Sequence, residues 1–239
     1  MKNDKPPIKI GIPLYTNFDS LDVLGAFQTF SFQTPEMDPI LIGPTMDPVP
    51  SWEGVQILPK CDFASCPQLD VLFVPGGVDL QDVLTPPDVD ENPYLRFLLE
   101  QASGDLKLVT SVCVGAILLA SAGLLDGYTA TTHWAFQTVL AEFPNVLLAS
   151  GYPRYVIDAN RVTGGGISSS LDESLAISAI LLGDNSARLA QLKMQYAPQP
   201  PFHDGDPAQA GPVILQEASA YMRDGVDKLR IAVRRIIDR

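Results

Sequence analysis

Short apolar runs alternate with longer segments of helical periodicity along most of the chain. Mostly apolar runs, typical of buried strands, cover residues 8–14, 39–43, 71–74 and 106–111. Weaker strand signals lie near residues 146–148 and 161–163, and residues 55–59 resemble a small hairpin arm. Helices are predicted over residues 21–32, 94–103, 115–125, 136–143, 168–182 and 187–196, with a final amphipathic helix over about 213–239. This alternation predicts an α/β fold with a mostly parallel sheet covered by helices on both faces.

Length and composition indicate one folded domain. The chain has 239 residues, of which 46% are hydrophobic and 18% are charged. That is enough to bury one substantial core, and the mixture of charges is not typical of disorder. We therefore expect a single domain over residues 1–239 that ends in the helix over about 213–239. The formal net charge of -12 repels phosphate backbones, so we expect no nucleic-acid partner.

Signals for membranes and export are absent from the sequence. No run approaches the roughly 20 uninterrupted apolar residues that cross a bilayer. The polar residues 1–7 lack the apolar centre of a secretory signal. These observations favour a cytoplasmic protein with no membrane partner.

The cysteines and histidines follow no metal-binding or disulfide pattern. Three cysteines, Cys61, Cys66 and Cys113, are too few for a disulfide framework, and only two histidines, His133 and His203, accompany them. We expect no metal and no other cofactor. Cys61 and Cys66 are interpreted as ordinary small residues, because free cysteine commonly packs as a small hydrophobe.

Cys113 stands out because it lies where a predicted strand passes into a predicted helix. Residues 111–115 read Ser-Val-Cys-Val-Gly, a nucleophile flanked at two positions by small residues, as a tight nucleophile elbow requires. The following helix would direct N–H groups and its dipole towards the sulfur, which lowers the pKa of a thiol. The alternative is a cysteine packed at a strand end. The context favours a nucleophile.

A second turn, Pro75-Gly76-Gly77, follows the neighbouring predicted strand. Ligands of open α/β sheets bind beyond the carboxyl ends of the strands, where both turns are expected. Glycines let the backbone approach a ligand, so the N–H groups of Gly77 and Val114 are predicted to form an oxyanion-type hole. The alternative is a plain tight turn.

Eight motifs spread over nearly the whole chain match one known superfamily. They are LDVLG at 21–25, VPGG at 74–77, TSVC at 110–113, GLLDG at 123–127, ATTHW at 130–134, TGGGI at 163–167, QYAP at 195–198 and PPF at 200–202. This combination resembles the ThiJ/PfpI superfamily of class I glutamine-amidotransferase-like proteins. Within it, the isocyanide hydratase branch is the most similar.

The resemblance implies a flavodoxin-like three-layer sandwich that works as a homodimer on a small-molecule substrate. Cys113 would be the nucleophile, Asp22 the acidic residue beside it, and Gly77 and Val114 the oxyanion-hole amides. Ile167 would lie against the sulfur. Val114 departs from the branch, which carries Thr there, so the backbone N–H is kept and the hydroxyl is lost. The same position cannot supply the His that protease-like relatives use.

Three further residues have two interpretations each. Asp22, in apolar company, could carry a proton at neutral pH or merely favour the first turn of a helix. His133 could lie near the thiol or satisfy core hydrogen bonds, and Trp134 could line the substrate pocket or pack. We place His133, Trp134, Gly76 and Ile167 in the substrate pocket or among the residues that support it.

The expected function is hydration of an organic isocyanide to an N-substituted formamide by Cys113, which makes the protein a lyase. The alternatives are a regulatory domain that does not bind DNA, a redox sensor, and a glyoxalase-like enzyme that uses the same cysteine. The chain ends one helix after the α/β pattern, which leaves no room for a helix-turn-helix module.

Overall fold

Eleven strands and eight helices run along residues 6–238, the part of the chain that the computed structural model describes. The strands are β1 (Ile8–Pro13), β2 (Met37–Gly43), β3 (Val49–Pro50), β4 (Gln56–Ile57), β5 (Cys61–Asp62), β6 (Val71–Val74), β7 (Leu108–Ser111), β8 (Thr129–Ala130), β9 (Leu147–Leu148), β10 (Tyr155–Asp158) and β11 (Arg161–Gly164). The helices are α1 (Ser20–Ser31), α2 (Leu80–Val83), α3 (Pro93–Ala102), α4 (Gly115–Ser121), α5 (Gln137–Leu140), α6 (Ser169–Leu182), α7 (Asp184–Lys193) and α8 (Pro212–Ile237).

Seven of the strands form the central sheet in the order β10-β11-β7-β6-β1-β2-β5. All neighbours are parallel except β10, which pairs antiparallel with β11. The four residues of β6 and the four of β7 are all buried, as expected of central strands covered on both faces. The predicted α/β fold with a mostly parallel sheet is confirmed.

Helices cover both faces of the sheet, which gives the three layers of a flavodoxin-like sandwich. One layer holds α1, α6 and α7, which pack on one another, and the other holds α3, α4, α5 and α8. Every residue of α4 is buried, because α4 lies between the sheet and the helices α3 and α5. No helix within residues 6–238 combines the length and the apolar character needed to cross a bilayer.

Local sequence signals explain where the main helices begin. Asp19 caps α1, since its carboxylate accepts the N–H groups of Leu21 at 3.0 Å and Asp22 at 3.4 Å. Asn92 caps α3 in the same manner, and Pro93 occupies the first turn, where no N–H is needed. α8 likewise begins at a proline, Pro212.

The structure differs from the sequence predictions in several places. The short elements β3, β5, β8 and α2 were not predicted, and α7 lies at Asp184–Lys193 instead of 187–196. β10 was not predicted, because its residues alternate between exposed and half-buried and form no apolar run. The helix predicted over 115–125 ends at Ser121, shortly before Gly123 with φ of +71°. The helix predicted over 136–143 is a 3₁₀ turn, Trp134–Phe136, followed by the short α5. The last helix begins at Pro212, and the predicted end at residue 239 lies outside the described residues.

The register of β6 and β7 brings the two functional turns together. Val74 pairs with Ser111, so the chain leaves both strands side by side at the same edge of the sheet. Gly115 begins α4 where the two turns touch, and a Cβ there would meet the carbonyl oxygens of Val74 and of Pro75, the latter at 2.9 Å. Only glycine lets the start of α4 approach the neighbouring turn this closely.

Replacing Gly115 by alanine is expected to destabilise the fold by about 2–3 kcal/mol, because the new methyl group collides with backbone that cannot rotate away. Urea unfolding of Gly115→Ala and of Gly205→Ala measures this. Gly205 has nothing within 4 Å of its Cβ position and serves as the control. Equal midpoints for the two variants would contradict the proposed close packing.

Candidate active site

Cys113 lies in the turn between β7 and α4 in a strained backbone conformation. Its φ is +56°, in the left-handed region that non-glycine residues rarely adopt. Two hydrogen bonds hold it there: its N–H donates to the Gly165 carbonyl at 2.7 Å, and its carbonyl accepts the Thr132 hydroxyl at 2.8 Å. The chain is thus fixed on both sides of the sulfur-bearing residue, as in a nucleophile elbow.

Gly76 lies between the Cys113 side chain and the Asp22 carboxyl. A Cβ on Gly76 would be 2.7 Å from Cys113 Cβ and 2.8 Å from both Asp22 Oδ2 and Val114 N. The Gly76 N–H donates to Asp22 Oδ2 at 2.8 Å. The glycine turn therefore positions the carboxyl beside the thiol, and any side chain at residue 76 would push the two apart.

Asp22 is completely buried, in the first turn of α1. Burial raises the pKa of its carboxyl well above the usual range, and the charge of Asp19 adds to this, while the Gly76 N–H and the Cys113 side chain oppose it. Its other oxygen, Oδ1, has no hydrogen-bond partner among the described residues. Asp22 is thus a carboxyl that can hold a proton at neutral pH beside the sulfur.

The electrostatic setting of Cys113 differs from the expectation. Burial raises the pKa of the thiol, the Asp22 charge raises it further, and the Val114 N–H only partly opposes these effects. The Val114 N–H therefore does not outweigh burial and the neighbouring carboxyl, which together favour the protonated thiol. Cys113 and Asp22 instead compete for protons, so that loss of the thiol proton is coupled to its uptake by the carboxyl.

Asp19 adds a second carboxylate next to this pair. It is buried, and the Trp52 indole N–H donates to its Oδ2 at 3.1 Å. Asp19 and Trp52 both line the cavity described below. The sequence signal for Asp19 was only its capping role, which gave no hint of this position.

A cavity of about 280 Å³ opens above the sulfur. Cys113, Val114 and Gly77 form its base, and Ile167 and His133 line it on the side of the glycine-rich turn that follows β11. The cavity surface is mostly apolar. A small organic molecule with one reactive group would suit such a site.

α8 closes the cavity from the opposite side. Tyr221, Met222, Gly225 and Leu229 of this helix line it, together with Phe136 from the 3₁₀ turn. The sequence predicted α8 only as an amphipathic helix, and an amphipathic pattern does not distinguish a helix on the core from a helix over a site. The residues that shape the outer cavity were therefore missed.

His133 lies at the cavity as an uncharged ring. Burial lowers its pKa to about 4. Its Nδ1 accepts the Ala135 N–H at 3.3 Å, so in the neutral ring the proton resides on Nε2. His133 caps the 3₁₀ turn and also lines the cavity.

The remaining predicted residues divide into two groups. The first group, Gly77, Val114 and Ile167, lines the cavity with Cys113. The second group does not line it: Gly76 contacts both the Cys113 side chain and the Asp22 carboxyl. The structure does not bring Trp134 to the cavity: its ring packs against His133 at a centroid distance of 5.6 Å, and Phe136 takes the cavity position. Within residues 6–238, no three His, Cys, Asp or Glu side chains converge to hold a metal ion.

Fold and site together define an α/β protein of the flavodoxin-like class with a buried thiol–carboxyl pair at the carboxyl edge of its sheet. The DJ-1/PfpI family model matches residues 8–179. The chain belongs to the DJ-1/PfpI family, which confirms the resemblance seen in the motifs.

Two relatives resemble the chain over most of its length. Isonitrile hydratase of Pseudomonas putida is 36% identical over 211 residues, which is 88% of each protein. The crystal structure of a ThiJ/PfpI family protein from Pseudomonas syringae superimposes with a TM-score of 0.86 and 31% identity, over 95% of this chain and 90% of that one. A helix-turn-helix transcriptional regulator of Pseudomonas aeruginosa is 35% identical over 124 residues, which is 52% of this chain but only 31% of the regulator.

The His133 ring is expected to remain neutral, with its proton on Nε2, down to about pH 4, because protonation would place a charge in the apolar wall of the cavity. Nitrogen NMR of ¹⁵N-histidine-labelled protein measures this directly. With only two histidines in the chain, His203→Gln assigns the signals. Titration of the His133 ring near its unperturbed pKa of about 6.5 would contradict the described burial.

Proposed function

We propose that the protein hydrates a small organic isocyanide to the N-substituted formamide. The observation that carries this proposal is the pairing of a fully buried Asp22 with Cys113 across Gly76, at the base of a mostly apolar cavity. The reaction needs a nucleophile for the terminal carbon, a proton for that same carbon, and a dry place for the apolar substituent. The isonitrile hydratase relative supports the same substrate class.

In the first step, the Cys113 sulfur attacks the terminal isocyanide carbon. The Asp22 carboxylate takes the thiol proton as the S–C bond forms, and then delivers it to the attacked carbon. The product is a thioimidate in which the former isocyanide carbon carries one hydrogen and the sulfur. A raised Asp22 pKa suits this role, because a carboxyl that readily holds a proton is a stronger base towards a thiol.

In the second step, a water molecule adds to the thioimidate carbon. Asp22 takes a proton from this water and passes it to the substrate nitrogen, which leaves a tetrahedral adduct that carries a hydroxyl group. Collapse of the adduct breaks the S–C bond and releases the formamide, and the hydroxyl proton passes through Asp22 to the Cys113 sulfur. Gly77 and Val114 line the cavity, and their N–H groups would donate to the oxygen or nitrogen of this adduct.

The electrostatics of the thiol make a redox-sensing role less favourable. Peroxide oxidises the ionised form of a cysteine, so a thiol with a raised pKa is less susceptible to oxidation. Burial raises the pKa of the Cys113 thiol in this way. Hydration avoids this difficulty, because Asp22 removes the proton only as the sulfur reacts. A glyoxalase-like or regulatory role would use the same cavity, and no contact of the described residues favours either of them over hydration.

The wider setting of the protein is also proposed rather than observed. We infer a cytoplasmic homodimer without a nucleic-acid partner, on the basis of the family resemblance, the acidic composition and the motif content of the sequence. The reaction itself consumes only the isocyanide and water.

Purified protein is expected to convert an organic isocyanide to its formamide. Chromatography, or the loss of the isocyanide infrared band, monitors this reaction. Cys113→Ala should lower kcat/KM by about 10³-fold or more, and Asp22→Asn by about 10²-fold, because each removes a group that makes or breaks a bond to the substrate. Cys61→Ser, which alters a half-buried thiol outside the cavity, is the matched control. Absence of formamide, or equal turnover by Cys113→Ala, would refute hydration by this thiol.

Gly225 of α8 is expected to set the size of substrate that the cavity accepts. A Cβ there would lie 3.8 Å from Phe136, an ordinary contact, so a larger side chain extends into the cavity without disturbing the backbone. Gly225→Leu should lower kcat/KM about tenfold for a cyclohexyl isocyanide and less than about threefold for methyl isocyanide. Ala220→Leu, at an exposed position of the same helix, should change neither. Equal losses for both substrates would contradict a cavity closed by α8.

A further inference from the structure

Several buried polar side chains within residues 6–238 have an atom without a hydrogen-bond partner. One of them is Glu173 of α6, which is completely buried and has neither carboxyl oxygen hydrogen-bonded within the described residues. Further buried polar atoms without a partner among the described residues are Asp22 Oδ1, Ser111 Oγ, Thr131 Oγ1, Ser169 Oγ and Ser174 Oγ. Buried polar groups rarely occur together in this number unless they serve one another or a function.

Glu173 lies directly under the peptide that holds the nucleophile. Its carboxyl packs against Gly164 at the end of β11, so closely that a Cβ on this residue would overlap it. The next residue, Gly165, accepts the Cys113 N–H at 2.7 Å and donates its own N–H to the Arg154 carbonyl at 2.8 Å. Glu173 thus supports the segment that fixes the backbone of Cys113.

The charges around Glu173 disfavour an ionised carboxylate. Asp22 faces it from α1 and adds negative charge, as does Asp172 on its own helix, and a charged Glu173 would in turn raise the pKa of the Cys113 thiol. Arg154 is the cation that acts on it, but its guanidinium is bound to Asp172 at 2.5 Å. Burial and the neighbouring Asp22 together raise the pKa of Glu173 well above its usual range.

We propose that Glu173 is an uncharged positioning residue, which supports the glycine turn under Cys113 through its contact with Gly164 and keeps Asp22 as the carboxyl that exchanges its proton with Cys113. The roles of Asp22 and Cys113 in this statement rest on the proposed function. An ionised Glu173 would place a second negative charge beside Asp22, and Asp22 would then retain its proton instead of accepting one from the thiol. A neutral acid avoids this and still fills the space under Gly164.

The uncharged state has a thermodynamic signature. A carboxyl with a raised pKa in the folded protein contributes its full stability below the pKa of an unfolded Glu, about 4.3, and loses it as the pH rises towards the folded pKa. Glu173→Gln keeps the shape and has no proton to lose. The melting temperature of Glu173→Gln minus that of the wild type should therefore increase by about 3 °C or more between pH 5 and pH 8.

The matched control for this measurement is Asp184→Asn, which removes an exposed carboxylate at the start of α7. Its melting temperature should follow that of the wild type at a constant offset. A constant offset for Glu173→Gln as well would show that Glu173 is ionised in the folded protein, and would overturn the proposal.

The positioning role is tested by alkylation of Cys113 with iodoacetamide at pH 7, followed by intact mass. This readout needs no isocyanide turnover, so a failure of the proposed function leaves it intact. Glu173→Gln should alkylate within about twofold of the wild-type rate, because it keeps the side chain that packs against Gly164. Glu173→Ala lacks this support, and its alkylation rate should differ from that of the wild type by about tenfold. An unchanged rate in Glu173→Ala, or an equal change in both variants, would overturn the positioning role. If Glu173→Ala does not fold, Glu173→Leu fills the space without a polar group and takes its place in the comparison.

Discussion

The contact of Gly76 with both Cys113 and Asp22 is the constraint on which the rest of the site depends. It requires a glycine after β6, the end of β7 in register beside it, and helix α1, which carries the Asp22 carboxyl. The left-handed conformation of Cys113 follows from the same requirement, because an extended residue there would direct its side chain away from Asp22. Two hydrogen bonds hold this strained conformation: the Cys113 N–H donates to the Gly165 carbonyl, and the Thr132 hydroxyl donates to the Cys113 carbonyl.

Burial raises the pKa of both members of this pair more than the N–H groups of Gly76 and Val114 lower it. A thiol and a carboxyl in a dry site both hold protons more tightly, so neither is a strong reagent alone. Placed side by side, they can exchange a proton as a bond to sulfur forms. The site is therefore suited to a substrate that needs a nucleophile and a proton at one atom, which is the requirement of an isocyanide carbon.

Much of the fold and the turn that carries Cys113 could be predicted from short-range patterns, whereas the sequence placed Asp22 beside Cys113 only through the family resemblance. The buried runs of β6 and β7, the glycine turns after them and the capping residue Asp19 are local signals. The outer cavity was not predictable in this manner. The path of α8 across the molecule brings Tyr221, Met222 and Gly225 to the cavity that Cys113 also lines. No local sequence pattern distinguishes Glu173, because α6 begins with several serines and acidic residues. The direction of the Cys113 pKa also required coordinates, since it depends on complete burial and on a carboxyl 91 positions away in the chain.

Acid-quenched intact mass measurement in the first turnover tests the central claim most directly, because it detects the bond between sulfur and substrate. Wild-type protein mixed with an organic isocyanide should gain the mass of one isocyanide, and peptide mapping should place that mass on Cys113. The adduct should accumulate in Asp22→Asn if addition of water is slowed more than attack by sulfur. Formamide production with no adduct on Cys113, or with an adduct confined to Cys61 or Cys66, would contradict the account.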